Sequence, residues 1–190
     1  SFPVITYSAK SGSGSFVLGS LPNGVSATLT DDDAGTVTLN INSISFPKWT
    51  GAFDANWDTT TQNWIDQLSS NPSNFANGAP VLLDDTATGL TAIDLIGTLT
   101  PGDVKFEHSS LAYTLNGSGK ISGSTGLTKN GSADLTLNTA NDFTGTVNLN
   151  GGTTFFSTAV LGGGGGLGAG TSPLVITGGA LNYSGPNGGI

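Results

Sequence analysis

The 190-residue sequence has no cysteine and no arginine, one histidine and five lysines. Without cysteine there can be no disulfide, no thiolate metal site and no cysteine nucleophile. Charged residues make up only 9% of the chain, and thirteen acids against five lysines leave a formal net charge of −8. Phosphate recognition needs clustered Lys or Arg, so nucleic acid is not an expected partner, and anionic polysaccharides and membrane surfaces are disfavoured for the same reason. No run approaches the roughly 20 apolar residues of a membrane helix, so no membrane insertion by this segment is expected. No basic-then-apolar leader opens the chain, which would make an exported form a mature or internal piece.

Helix formers are equally scarce. Thirty glycines and an excess of Ser, Thr, Asn and β-branched residues dominate, and all of these are unfavourable inside helices. Residues 63–68 are the one stretch that could coil, for about one turn.

Short strand signals fill the rest: PVITYS, SFVLGS, SATLT and TVTLNINSI, then PVLLDD, TAIDLIGTL, DVKFEH, AYTLNGS, ADLTLN, GTVNLN, TTFFS, PLVITGG and ALNYSG. Each is bounded by Gly, Asn, Asp or Pro, the residues that end strands in turns. No helical linker separates them, which excludes ordinary βαβ architecture. From Ala92 onward an apolar, Thr-rich strand followed by Asn-Gly, Gly-Ser or Gly-Gly recurs, as in LAYTLNGSGKISGS and DFTGTVNLNGGTTFF. Units of this kind cannot bury an apolar face alone and must stack. The expected fold is an all-β parallel β-helix, or β-solenoid, with a β-sandwich or jelly roll as the rival. In the solenoid Leu115, Ile121, Leu127, Leu135, Leu137, Phe143, Val147 and Leu149 form the inward stack, and Asn and Thr side chains stacked coil on coil extend the hydrogen-bond ladder.

Residues 48–170 carry an ordered set of motifs. Trp49 and Gly51 form a Trp-x-Gly opening, and Trp57 and Trp64 follow. An Asn-Gly and Asp-Asp strand spans 77–85, and Pro101-Gly102 form a turn. GLTKNGSADLTL fills 126–137, and Asn141 to Gly145 read Asn-x-Phe-x-Gly. In this order the motifs resemble the autotransporter-associated β-strand repeat, also called the passenger-associated transport repeat, of bacterial secreted and surface proteins. Ala133-Asp134 departs from the family's usual Gly/Thr. The resemblance implies a right-handed β-helical stalk and an extracellular or bacterial cell-surface location. It divides the chain into residues 1–47, a β-rich segment similar to the closing part of a preceding module, 48–91, a Trp-containing opening and cap segment, and 92–190, the solenoid coils.

Five places could carry chemistry. Asp31, Asp32 and Asp33 could offer carboxylates to calcium, the one cofactor considered, although Asp and Gly are also what a hairpin turn uses. Asp84 and Asp85 could be the paired carboxylates of a glycoside hydrolase, but neighbours on a strand point to opposite faces. His108, beside Glu107, is the only imidazole and is read as a surface or coil residue. The run 162–166 resembles a phosphate loop only in its glycines, with no following Gly-Lys-Ser/Thr. Trp49, Trp57 and Trp64, with Phe53 and Phe75, are either a sugar-stacking platform or the packed cap of the solenoid.

No catalytic residue is assigned. The expected function is a structural or adhesive extracellular repeat module, one period of a long stalk or one subunit of a head-to-tail fibre. Its expected partners are copies of itself or neighbouring repeats stacked end to end, and surface glycans. A carbohydrate-binding module is the second reading and a polysaccharide-active enzyme the last.

Overall fold

The computed structural model describes residues 1–21, 25–44, 46–159 and 164–185. Every regular element among them is a strand, as the shortage of helix formers requires. The stretch 63–68 forms strand and turn instead of a helical turn. Contacts divide the chain into two units, Ser1–Ser45 and Phe46–Ile190.

The first unit is a three-stranded antiparallel sheet of β1 (Phe2–Thr6), β2 (Val25–Asp31) and β3 (Thr36–Ile44), in the order β1-β3-β2. Along β2 the side chains alternate between half-buried and exposed, with Ser26, Thr28 and Thr30 outermost, the pattern of a strand covered on one face. The expected strand in SFVLGS does not form. Its apolar residues find no pairing partner, and Phe16, Val17 and Leu18 stay exposed.

The second unit is a β-solenoid of about four turns, with parallel strands stacked coil on coil rather than facing sheets of a sandwich. Its opening strands are β4 (Lys48–Trp49), β5 (Asn56–Trp57), β6 (Trp64–Ile65) and β7 (Pro72–Ser73). The coils then run through β8 (Val81–Asp84), β9 (Ala92–Leu95), β10 (Thr98–Leu99), β11 (Val104–Glu107), β12 (Tyr113–Asn116) and β13 (Lys120–Ile121). They continue as β14 (Leu127–Asn130), β15 (Leu135–Leu137), β16 (Val147–Leu149), β17 (Thr153–Phe156), the small pair β18 (Gly164–Gly165) and β19 (Gly168–Ala169), β20 (Leu174–Ile176) and β21 (Ala180–Tyr183).

One sheet has the order β20-β16-β14-β11-β8-β4-β6-β7, a second β21-β17-β15-β12-β9-β5, and β10 pairs with β13 on a third side. Among the described residues the coil-to-coil strand pairs are parallel, whereas β6 and β7 add to β4 antiparallel. Val81, Val104, Leu127, Val147 and Leu174 are successive partners in one row, although the coils between them differ in length. The longest coil, from Val147 to Leu174, carries the β18–β19 hairpin, an insertion that leaves the stack in register.

Alternation along each short strand sends every second side chain inward. The resulting rows fill the core: Leu83 over Phe106, Ile93 over Leu115 over Leu137, Leu99 over Ile121. All the residues expected in the inward stack are buried, each contributing about 1.5–3 kcal/mol from removal of its apolar surface from water. The expected side-chain ladder is present at the turns. Asn138 Nδ2 donates to Asn116 Oδ1 at 2.9 Å, and Asn150 Nδ2 donates to Asn130 Oδ1 at 2.9 Å.

Candidate functional site

The acidic run closes the β2–β3 hairpin. Asp32 Oδ1 accepts from the backbone N–H groups of Ala34 at 2.8 Å and Thr36 at 2.9 Å. Lys10 Nζ reaches Asp31 at 2.7 Å and Asp33 at 2.6 Å, and the Tyr7 hydroxyl donates to Asp31 at 2.6 Å. The Lys10 ammonium and the Tyr7 hydroxyl hold the Asp31 carboxyl down at about 2. These carboxylates are engaged by their own chain in a turn, and no group of three or more His, Cys, Asp or Glu is arranged for a metal among the described residues.

Asp84 ends β8 and Asp85 opens the turn after it, and their carboxylates take different partners. Asp84 accepts from Thr86 and lies 3.7 Å from Lys48 Nζ. Asp85 reaches the next coil, where its carboxylate accepts from the backbone N–H groups of Ser109 at 2.8 Å and of Ser110 and Leu111 at 2.9 Å. Those bonds, Leu111 first, lower its pKa. It is a staple between coils, invisible to local pattern because acceptor and donors lie a whole coil apart along the chain.

His108 is not on the surface: it is fully buried, its ring 5.0 Å from Tyr113 and 5.9 Å from Phe106. Of the glycine run 162–166, the first two residues lie outside the described part. Gly164 and Gly165 form β18, antiparallel to β19, so the described part is a hairpin strand.

Trp49, Trp57 and Trp64 have no exposed surface. Trp64 packs edge to face against Trp49 at 5.1 Å and Trp57 at 5.0 Å, and Phe75 meets Trp57 at 5.6 Å. Phe53 stands apart at 77% exposure. The indoles therefore sit inside the opening of the solenoid, with no ring face free to stack on a sugar.

Among the buried polar side chains that went unrecognised in the sequence, two are fully enclosed. Asn63 is fully buried and satisfied on both sides: Oδ1 accepts from the N–H groups of Phe53 and Asp54 at 3.0 Å, and Nδ2 donates to Asp54 at 2.6 Å and to the Asn56 carbonyl at 2.9 Å. Asn63→Leu keeps the volume but strands these partners, and is expected to lower stability by about 2–4 kcal/mol in denaturant titration. A loss below about 0.5 kcal/mol would mean that water takes over those groups.

The second is Lys129. It is fully buried in the inward row below Phe106, and its Nζ donates to the carbonyls of Asn130 and Gly131 at 2.9 Å and of Gly151 at 3.4 Å. Its spacing of two from Leu127 was the signal available in the sequence, since parity alone places it inside.

No family model, curated protein or solved structure matches this chain.

On the outer surface, a cleft of about 220 Å³ is lined by Phe46, Gln67, Leu82, Asp103, Lys105 and Glu107. Asp103 and Glu107 share this face but stand four residues apart on extended chain, roughly 13 Å. A groove of about 440 Å³ crosses successive coils beside Gly97, Thr98, Ser118, Lys120, Asn138 and Thr158. Its Lys120 is already tied to Asp142 at 2.5 Å.

Proposed function

We propose that the chain is a structural or adhesive repeat module of an extracellular surface protein, of the autotransporter-associated type that its motifs resemble, acting as part of a stalk or head-to-tail fibre. The observation that carries this reading is the uninterrupted stack. Inward rows run through consecutive coils, each coil pairs with the ones above and below, and hydroxyl and amide side chains cover the turns. Such a structure is built by adding coils along one axis, and its length is set by their number.

In the last coil described, Leu174 is 44%, Ile176 48% and Tyr183 45% exposed, although all three continue rows that are buried elsewhere. Another coil stacked on β20 and β21, from the same polypeptide or another copy, would cover them and pair their open backbone groups. Electron microscopy and sedimentation over a range of concentrations test the fibre form. The expected result is rods that lengthen with concentration and shorten in Ile176→Asp. Particles of constant mass throughout, in both proteins, would sink it.

A further inference from the structure

The corner joining β11 to β12 contains the one histidine of the chain, and its surroundings are unusual for an imidazole. His108 is fully buried, wedged edge to face between the Phe106 and Tyr113 rings. Neither ring nitrogen makes a hydrogen bond of normal geometry among the described residues. The Tyr113 hydroxyl spends its proton on the Asp84 carbonyl at 2.7 Å, so it has none to donate to the imidazole.

One coil further on, the equivalent corner is filled differently. Gly131 lies so close beneath His108 that an added Cβ would stand 2.1 Å from the His108 carbonyl oxygen. Lys129 also turns into this corner, its ammonium held by three backbone carbonyls. The corner is thus packed by an unpartnered neutral base in one coil and a cation in the next. Asp85, from the turn after β8, and Asp134, just before β15, are the carboxylates facing this region. Asp85 is already saturated by three backbone N–H groups.

We propose that His108 is an acid-sensitive wedge: when its imidazole takes a proton, the corner at residues 108–113 and 130–134 opens locally while the rest of the stack holds. The physical reason is that an imidazolium here would be buried beside a second cation, with neither ring nitrogen held by a well-formed hydrogen bond in the closed corner. Burial first, and Lys129 second, hold His108 at about 4, against the weaker opposing pull of the Leu111 backbone, Asp85 and Asp134. Apart from the three Asp85 bonds to 109–111 and the Tyr113 N–H bond to the Asp134 carbonyl at 3.1 Å, the bonds across the corner are long. Ala133 N–H donates to the His108 carbonyl at 3.3 Å and Ser132 N–H to Ser109 Oγ at 3.4 Å.

The sign follows from linkage. An opened corner restores the ordinary histidine value of about 6.5, so the open form binds more protons between roughly pH 6.5 and 4. Closure is therefore favoured above that window, weakens as the pH falls through it, and changes no further from this group below about 4.

Because there is one histidine, the unmodified protein reports directly. Imidazole resonances are expected to titrate near pH 4. Amide exchange at 108–113 and 130–134, corrected for its intrinsic rate, should show an opening constant that rises about a hundredfold from pH 7 to pH 4, while β15–β17 stay protected. His108→Phe keeps an aromatic wedge without a base and should abolish the rise. Lys129→Met should move the titration to higher pH. A histidine that titrates near 6.5, or an exchange profile unchanged by His108→Phe, would overturn the proposal. So would a transition that shifts in Asp85→Asn and ignores His108→Phe, since the proton would then be acting on the Asp85 staple.

Discussion

Trp64→Ala is expected to destabilise the second unit by about 3–5 kcal/mol, the range for removing a large aromatic from a packed core. Trp64 is the hub of the opening cluster. It contacts Trp49 on the neighbouring strand of its own sheet, Trp57 on the other sheet, and Phe75 at 6.0 Å. Deleting it leaves a cavity where two sheets meet and removes two edge-to-face contacts, each worth about 0.5–1.5 kcal/mol beyond area burial. Phenylalanine substitutions separate packing from polar roles. The Trp64 indole N–H has no hydrogen-bond partner among the described residues, whereas Trp49 Nε1 donates to the Leu90 carbonyl at 2.7 Å. Trp64→Phe should therefore be tolerated better than Trp49→Phe. Denaturant titration with near-UV circular dichroism checks all three variants, and a Trp64→Ala loss under about 1 kcal/mol would show that the cluster is not holding the opening together.

Gly51→Ala should be comparably severe. The residue has φ of 58°, and a Cβ there would stand 2.1 Å from the Leu90 carbonyl oxygen, 2.7 Å from the Leu90 nitrogen and 2.9 Å from Trp49 Nε1. The chain at 50–51 lies directly against 89–90, with Gly89 N–H donating to Thr50 and Leu90 N–H to Gly51, both at 2.9 Å. A methyl group wedges these apart and disturbs the Trp49 indole bond as well. The expected cost is roughly 3 kcal/mol or more, from left-handed backbone strain plus the backbone and indole hydrogen bonds it disrupts. Gly97→Ala is the control. Its φ is 74°, but nothing lies within 4 Å of the added atom, so it should cost only the conformational term of about 1–2 kcal/mol. Equal losses in the two variants would mean that the close approach at Gly51 relaxes freely. The Trp-x-Gly spacing thus has a physical meaning: the tryptophan bonds across to Leu90, and the glycine lets the backbone come near enough for it to do so.

The acidic hairpin was legible because Asp and Gly act within a few residues of one another, and Asp32 caps the turn that its own position predicts. The inward stack was legible from alternation, as Leu127, Leu135, Leu137 and Leu149 illustrate. Lys129 was not, because charge argued for the surface while parity argued for the core. Parity prevailed because the carbonyls of Asn130, Gly131 and Gly151 receive the ammonium. His108 was misplaced toward the surface as one of its two readings for a related reason: its burial depends on Phe106 and Tyr113 from two strands meeting across a corner. Phe53 belongs by composition with the tryptophans, yet its loop position turns it to solvent.

What the sequence by itself determined is local. The scarcity of helix formers, the two-residue alternation and the turn residues dictate short strands with one apolar face, and such strands must stack. Tertiary structure decided the rest: which strands pair, how coils of unequal length keep one register, and which polar side chains go inside. Those outcomes depend on hydrogen bonds such as those of Ser109 to Asp85 or Phe53 to Asn63. Their partners come together only when the chain has folded back on itself and a coil has closed, so no local periodicity records them.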